Sequence, residues 1–130
     1  MLRIGIIKSM IQIVALEDDE HFLTLLRREL KARRIQNELV VYTTVKTAEA
    51  ASAVIVSADV ILLDYYAPDG SFHAALPQST TAPIIAISTA FSKNEAARKK
   101  YKSVRVQSKL DGSMDTAAMR IVDEIVQATT

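Results

Sequence analysis

Apolar and polar positions along the chain fall into two alternating kinds of segment. Ile11, Ile13, Val14, Ala15 and Leu16 form a short apolar run that stops in Glu17, Asp18, Asp19 and Glu20. A run of this kind predicts a buried parallel strand whose end opens on a site. Phe22, Leu25, Leu26 and Leu30 then recur at helical spacing, with Arg27, Arg28, Lys31 and Arg34 on other faces. That spacing predicts an amphipathic helix. Leu39 to Thr44 is rich in β-formers and predicts a second strand. Thr47 is placed to cap a helix over Ala48 to Val56. Val60 to Leu63 makes a third apolar run, ending in Asp64.

Pro68-Asp69-Gly70 signals a turn, and a short helix over Phe72 to Leu76 is limited by Pro77. Pro83 opens a fourth run, Ile84 to Ile87, that ends in the hydroxyls Ser88 and Thr89. Ser92 and Glu95 fit a capping box for a helix running through Arg98 to about Tyr101. Val104 and Val106 mark a fifth strand ending near Lys109, and Ala118, Ile121, Val122, Ile125 and Val126 outline a last amphipathic helix. This alternation predicts an α/β fold, a doubly wound parallel sheet with right-handed crossovers and helices on both faces. Ligands of such sheets bind outside the carboxyl ends of the strands, so residues at those ends are expected to meet in space.

Composition narrows the function classes. The 130 residues suit one domain, and 49% are hydrophobic, enough for a real core. A charged fraction of 24% argues against disorder. The net charge of +1 gives no bulk electrostatic case for binding nucleic acid or membrane. Cysteine is absent, which removes disulfides and thiolate metal sites and is compatible with a cytoplasmic location. No apolar run approaches the roughly 20 residues of a membrane span. Residues 1–9 are read as an N-terminal tail or upstream-start extension, with Met10 the alternative start, and residues 10–130 as the domain. The opening stretch is too short for a signal peptide.

The strand ends carry the chemistry. Glu17, Asp18 and Asp19 follow the first strand, Asp64 the third, Ser88 and Thr89 the fourth, and Lys109 the fifth. Clustered carboxylates repel, so a cation is expected among them, and hard oxygen ligands suit Mg²⁺. Lys109 supplies a fixed positive charge and Ser88 a hydrogen-bond donor. Together they suit a phosphoryl group carried on, or delivered to, a carboxylate. Each piece alone has a plainer reading: a loop ahead of a helix, a turn residue, a backbone-bonded serine, a solvated lysine. Specificity comes from their sitting at successive ends of one pattern.

These residues resemble the response-regulator receiver domain over about residues 10 to 128. Leu16-Glu17-Asp18-Asp19-Glu20-His21-Phe22 is similar to that family's acidic opening, and Asp64-Tyr65-Tyr66-Ala67-Pro68-Asp69-Gly70 to its phosphoacceptor turn. Pro83-Ile84-Ile85-Ala86-Ile87-Ser88 is similar to its fourth strand, and Ser108-Lys109 to the end of its fifth. The resemblance implies a flavodoxin-like five-stranded sheet in the order 2-1-3-4-5. It implies that Asp64 accepts a phosphoryl group from a histidine kinase, a phosphotransfer protein or a small donor. Asp18 would bind Mg²⁺ directly, Glu17 through water, and the Tyr66 backbone carbonyl would be a further ligand beside Asp64. Ser88 and Lys109 would engage the phosphoryl group. Such a chain is not an enzyme on other molecules, catalysing only its own phosphorylation and dephosphorylation, and it signals through a downstream protein partner or a relay.

Several positions depart from the family pattern. Thr89 stands where a very small residue is usual, and bulk there would hinder donor access; Thr89-Ala90 as the hydroxyl and small pair is the alternative register. Tyr66 puts a ring two residues after Asp64, able to shield an acyl phosphate from water or simply to point to solvent. Leu110 replaces the usual proline after the lysine, and Val106 replaces the switch aromatic. These departures keep open a second reading, a pseudo-receiver that acts as a phosphorylation-independent interaction module. A third, a Mg²⁺-dependent phosphohydrolase, lacks the second acid two residues after the nucleophile, where Tyr66 stands.

The cluster Arg98, Lys99, Lys100, Lys102 and Arg105 reads as a solvated face or, alternatively, a docking patch for an acidic partner. His21 is expected early in a helix and His73 at the surface, with no zinc-site spacing between them. No phosphate-cradling glycine loop is present.

Overall fold

The computed structural model describes residues 10–110 and 112–130. The expected tail over residues 1–9 lies outside them. Strands β1 (Ile11–Leu16), β2 (Asn37–Tyr42), β3 (Val60–Leu63), β6 (Ile84–Ala86) and β7 (Val104–Val106) form a parallel sheet in the order β2-β1-β3-β6-β7. Helices α1 (Glu20–Ala32), α2 (Val45–Ala50), α3 (Ser52–Val56), α4 (Phe91–Lys100) and α5 (Met114–Thr129) connect or follow the strands. A minimal antiparallel pair, β4 (Tyr66–Ala67) and β5 (Gly70–Ser71), and a 3₁₀ turn over Phe72–Ala75 fill the connection after β3. The sheet order is the one expected, 2-1-3-4-5 when only its own strands are counted.

The period of two along each strand divides the core. Ile13, Ala15, Val60, Leu62, Ile85 and Ile87 pack with Phe22, Leu26 and Leu30 of α1 and Ala118, Ile121, Val122 and Ile125 of α5. Their neighbours Val14, Leu16, Ile61, Leu63, Ile84 and Ala86 pack on the other face with Val45, Ala48, Ile55, Phe72, Ala97 and Tyr101. Both faces of β1 and β3 are therefore covered, which is why those strands read as continuous apolar runs. On the first face, Arg33 ties α1 to α5 through an ion pair with Asp123 and a hydrogen bond to the Met119 carbonyl.

Element boundaries shift where side chains bind backbone. The second strand starts at Asn37, two residues before the apolar run. Thr44, not Thr47, caps the next helix: its side chain accepts the Thr47 N–H at 3.1 Å. The Asp69 carboxylate also accepts the Val45 and Lys46 N–H groups, at 2.7 and 3.1 Å. These bonds satisfy the free donors of the first turn and fix the helix start before Thr47. The expected helix over Ala48 to Val56 is then two, broken at Ala51. Nor does Ser92 cap α4. The helix begins at Phe91 after Ala90, without a side-chain cap, and Glu95 pairs instead with Arg98 at 3.2 Å. Among the described residues no helix is long and apolar enough to cross a membrane.

Candidate functional site

The sheet brings the ends of β1, β3 and β7 to one edge, where Glu17, Asp64 and Lys109 meet. Lys109 Nζ lies 2.7 Å from Glu17 Oε1 and 3.0 Å from Asp64 Oδ2, with all three side chains nearly closed to solvent. The Lys109–Asp64 contact is a hydrogen bond. Lys109 approaches Glu17 Oε1 more closely still, as a buried ion pair. The Lys109 ammonium also stands 5.6 Å from the Phe22 ring centre, which floors the group from α1.

The other carboxylate oxygens are held by the loops themselves. Glu17 Oε2 accepts the N–H groups of Asp18 and Asp19 at 2.9 and 3.0 Å. Asp64 Oδ1 accepts the Tyr65 N–H at 2.7 Å. Asp19 Oδ1 caps α1 through the Phe22 N–H at 3.1 Å. The acidic quartet therefore divides its labour. Asp19 starts the helix, Glu17 folds back over the loop, and Asp18 is left exposed beside the buried pair.

Electrostatics follow from this crowding. Burial, and then the Asp64 carboxylate, push the Glu17 carboxyl up to about 7 against the pull of Lys109. Burial opposes the Lys109 ammonium, but attraction to Glu17 and Asp64 outweighs it and holds its pKa above the ordinary lysine value. One lysine thus serves two carboxylates, and the group carries surplus negative charge when both are ionised.

That surplus fits a divalent cation. Glu17, Asp18 and Asp64 each offer a carboxylate oxygen, and these oxygens lie within 4.8 Å of one another. The all-oxygen donor set suits Mg²⁺ or a similar hard ion. Tyr66, whose backbone carbonyl was the further expected ligand, sits in β4 two residues beyond Asp64, with its side chain 57% exposed. Its ring meets Tyr65 edge to face at 4.9 Å.

Ser88 is fully buried at the end of the β6 run, whereas Thr89 is exposed. Ser88 Oγ accepts the Ala90 N–H at 3.1 Å, which leaves the hydroxyl proton for another acceptor. Its backbone is clasped by Asn94, a residue the sequence pattern did not single out. Asn94 Oδ1 accepts the Ser88 N–H at 3.0 Å, and Nδ2 donates to the Ser88 carbonyl at 2.9 Å. The available signal was a polar residue three before Ala97 on the inner face of α4, where an apolar one is expected.

His73 is not a plain surface residue. It is half-buried, its ring packs edge-on against Tyr65 at 4.9 Å, and its Nε2 is buried without a partner among the described residues. Burial, with the Lys100 and Lys93 cations nearby, pulls its pKa below the ordinary histidine value despite Asp64. Lys93 stands 4.6 Å over the other partner of that ring, Tyr65. Val106 and Leu110 occupy the positions of the family's aromatic and proline; Val106 is half-buried and Leu110 is 60% exposed.

No protein-family model matches the sequence, and no curated protein matches it. Solved structures do. A response regulator from Hahella chejuensis superposes with a TM-score of 0.73 at 19% identity, over 92% of this chain and 95% of that one. The phosphorylated cyanobacterial phytochrome response regulator RcpA gives 0.71 at 17% identity, over 94% and 98%. The Mn(2+)-bound form of response regulator Rcp1 gives 0.72 at 16% identity, over 92% and 97%. At these identities the likeness is one of architecture, and it extends over nearly the whole of each chain. The chain has the response-regulator receiver fold.

Proposed function

We propose that this chain is a phosphorylation-controlled signalling receiver that takes a phosphoryl group on Asp64. The observation that carries the reading is Lys109 Nζ held between Glu17 Oε1 and Asp64 Oδ2, with Asp18 alongside. An aspartate buried among other acids, with one of its oxygens paired to a lysine, is poorly explained as a turn residue. It is well explained as a nucleophile whose charge must be balanced before and after phosphorylation.

In this reading an Asp64 carboxylate oxygen forms the new bond to phosphorus. The P–N bond of a phosphohistidine, or the P–O bond of a small donor, breaks, and the leaving group keeps its electron pair. A divalent cation held by Glu17, Asp18, Asp64 and the Tyr66 carbonyl would offset the charge of the incoming phosphoryl group. Lys109, already hydrogen-bonded to Asp64, transfers its contact to a phosphoryl oxygen. The Ser88 hydroxyl donates a hydrogen bond to another while still accepting the Ala90 N–H. The Tyr66 ring, two residues from Asp64 and largely exposed, is read as a shield that slows entry of water to the acyl phosphate. The donor is a histidine kinase or phosphotransfer protein, and the signal passes to a protein partner or along a relay, in the cytoplasm.

One observation favours the interaction-module reading. Val106 cannot swing as an aromatic switch does, so the link from phosphorylation to the α4–β7 face is weaker or runs through Asn94 and α4. Intact mass after incubation with acetyl phosphate and Mg²⁺ tests the proposal. A single phosphoryl adduct, lost without Mg²⁺ and in Asp64→Ala, supports it. Absence of an adduct, together with failure to bind beryllofluoride, leaves only the interaction module.

A further inference from the structure

At the sheet edge opposite Asp64, a cavity of about 350 Å³ opens between the loop before β6 and the end of α4, within the size range of small-molecule sites. Its floor is Ile84, and Thr80, Tyr101, Ser103, Lys100 and Lys102 are among its walls; no carboxylate lines it among the described residues. Two of these residues are in an unusual state. The Tyr101 phenol and the Thr80 hydroxyl are both buried from solvent, and neither has a hydrogen-bond partner among the described residues. Tyr101 as a whole is only 9% exposed. Buried hydroxyls without partners are rare in folded proteins, and each lowers stability unless something else satisfies it.

Lys100 and Lys102 are both exposed, and Lys100 Nζ lies 5.4 Å from the Tyr101 ring centre. Among the described residues neither lysine takes part in an ion pair, and both are long chains able to swing outward. Two ammonium groups with no acid in the wall select an anion. Two unpaired hydroxyls, with that of Ser103 close by, select a ligand that also carries hydrogen-bonding oxygens.

We propose that this cavity binds a small organic phosphate or carboxylate carrying hydroxyl groups. Its anionic group meets Lys100 and Lys102, and its oxygens accept the hydroxyl protons of Tyr101 and Thr80 as the wall opens to admit it. The site is independent of Asp64 and stands whether or not Asp64 is phosphorylated. Its position makes it a second input, because β6 starts at this cavity and its run leads to Ser88, about 13 Å away at the usual strand rise.

Amide NMR titration of the full chain, without divalent cations so that the acidic edge repels anions, tests the proposal. The probe is glycerol 3-phosphate, with glycerol as the uncharged counterpart. Saturable shifts centred on Thr80, Tyr101 and Ser103 are expected with the phosphate and not with glycerol. Tyr101→Phe removes a hydroxyl that has no partner in the free protein. It should leave the thermal midpoint unchanged or raised, yet weaken the phosphate about tenfold. Lys102→Glu should abolish saturation, while Arg98→Glu, the same charge change outside the cavity wall, should leave the affinity within about twofold. Absence of saturable shifts at millimolar phosphate, equal response to glycerol, or unchanged affinity in both Tyr101→Phe and Lys102→Glu would overturn it.

Discussion

Asn94 holds Ser88 by both of its backbone polar groups, one amide side chain accepting the N–H and donating to the carbonyl. The pair is buried, so neither backbone group can turn to water instead. This clasp joins the first turn of α4 to the end of the β6 run. It sets the angle at which the Ser88 hydroxyl is presented.

Asn94→Ala should therefore lower stability by about 2–3 kcal/mol, the cost of leaving buried backbone groups unpaired. Asn94→Asp keeps an acceptor for the Ser88 N–H but sets a carboxylate oxygen against the Ser88 carbonyl, and should also destabilise. Urea midpoints measure both. If Ser88 contributes to phosphoryl transfer, both variants should also slow adduct formation on Asp64 by more than their loss of folded protein explains.

Lys109 is the shared counter-ion of two buried carboxylates. Lys109→Met should cost about 3–5 kcal/mol, the range for removing one partner of a buried charge group. Adding Glu17→Gln should restore much of that, since one of the two stranded charges is then gone. A double-mutant cycle by chemical denaturation gives the coupling directly. Purely additive effects would mean that Lys109 and Glu17 do not share charge as their 2.7 Å approach indicates.

The raised Glu17 pKa gives a pH dependence of definite sign. The folded protein holds this proton up to about 7, whereas a free carboxyl loses it near 4.5. Between those values the folded state binds more protons than the unfolded, so stability falls as pH rises through the window. The Lys109 contribution has the same sign in a higher window. It is fully present below the ordinary lysine range and is lost only as pH rises through the raised folded value. Denaturation between pH 4.5 and 7 should show the fall in the parent and a flatter profile in Glu17→Gln. Added Mg²⁺ should flatten the parent as well, by favouring the ionised carboxylate.

The Asp69 carboxylate links the β4–β5 hairpin to α2. Bonds from the Val45 N–H, and next from Lys46, lower its pKa, so this support is present above the ordinary aspartate range and fades as pH falls through the lowered value. Asp69→Ala should speed hydrogen exchange at the Val45 and Lys46 amides and leave those of α5 unchanged. Equal protection in the variant would mean that Thr44 alone holds the helix start.

Most of the fold is legible in the sequence because burial and strand periodicity act on long stretches. The four-residue run Val60–Leu63 is apolar because both sheet faces are covered, and it ends at the site because parallel strands put their carboxyl ends on one edge. Glu17, Asp64 and Lys109 could be brought together on that topology alone. The boundaries of α2 and α4 could not, because they are set by Asp69 and Asn94 reaching across loops, and a local cap rule sees only neighbours in sequence. His73 was misplaced for a related reason: its half-burial comes with an edge-on contact to Tyr65 that no periodicity encodes.

The central claim is that Asp64 accepts a phosphoryl group, and the most direct measurement is the intact mass of the parent and Asp64→Ala after incubation with acetyl phosphate and Mg²⁺. The account predicts one phosphoryl adduct on the parent, lost when Mg²⁺ is omitted and absent from the variant. An adduct of the same yield on Asp64→Ala would contradict it, as would a parent that neither gains the adduct nor binds beryllofluoride.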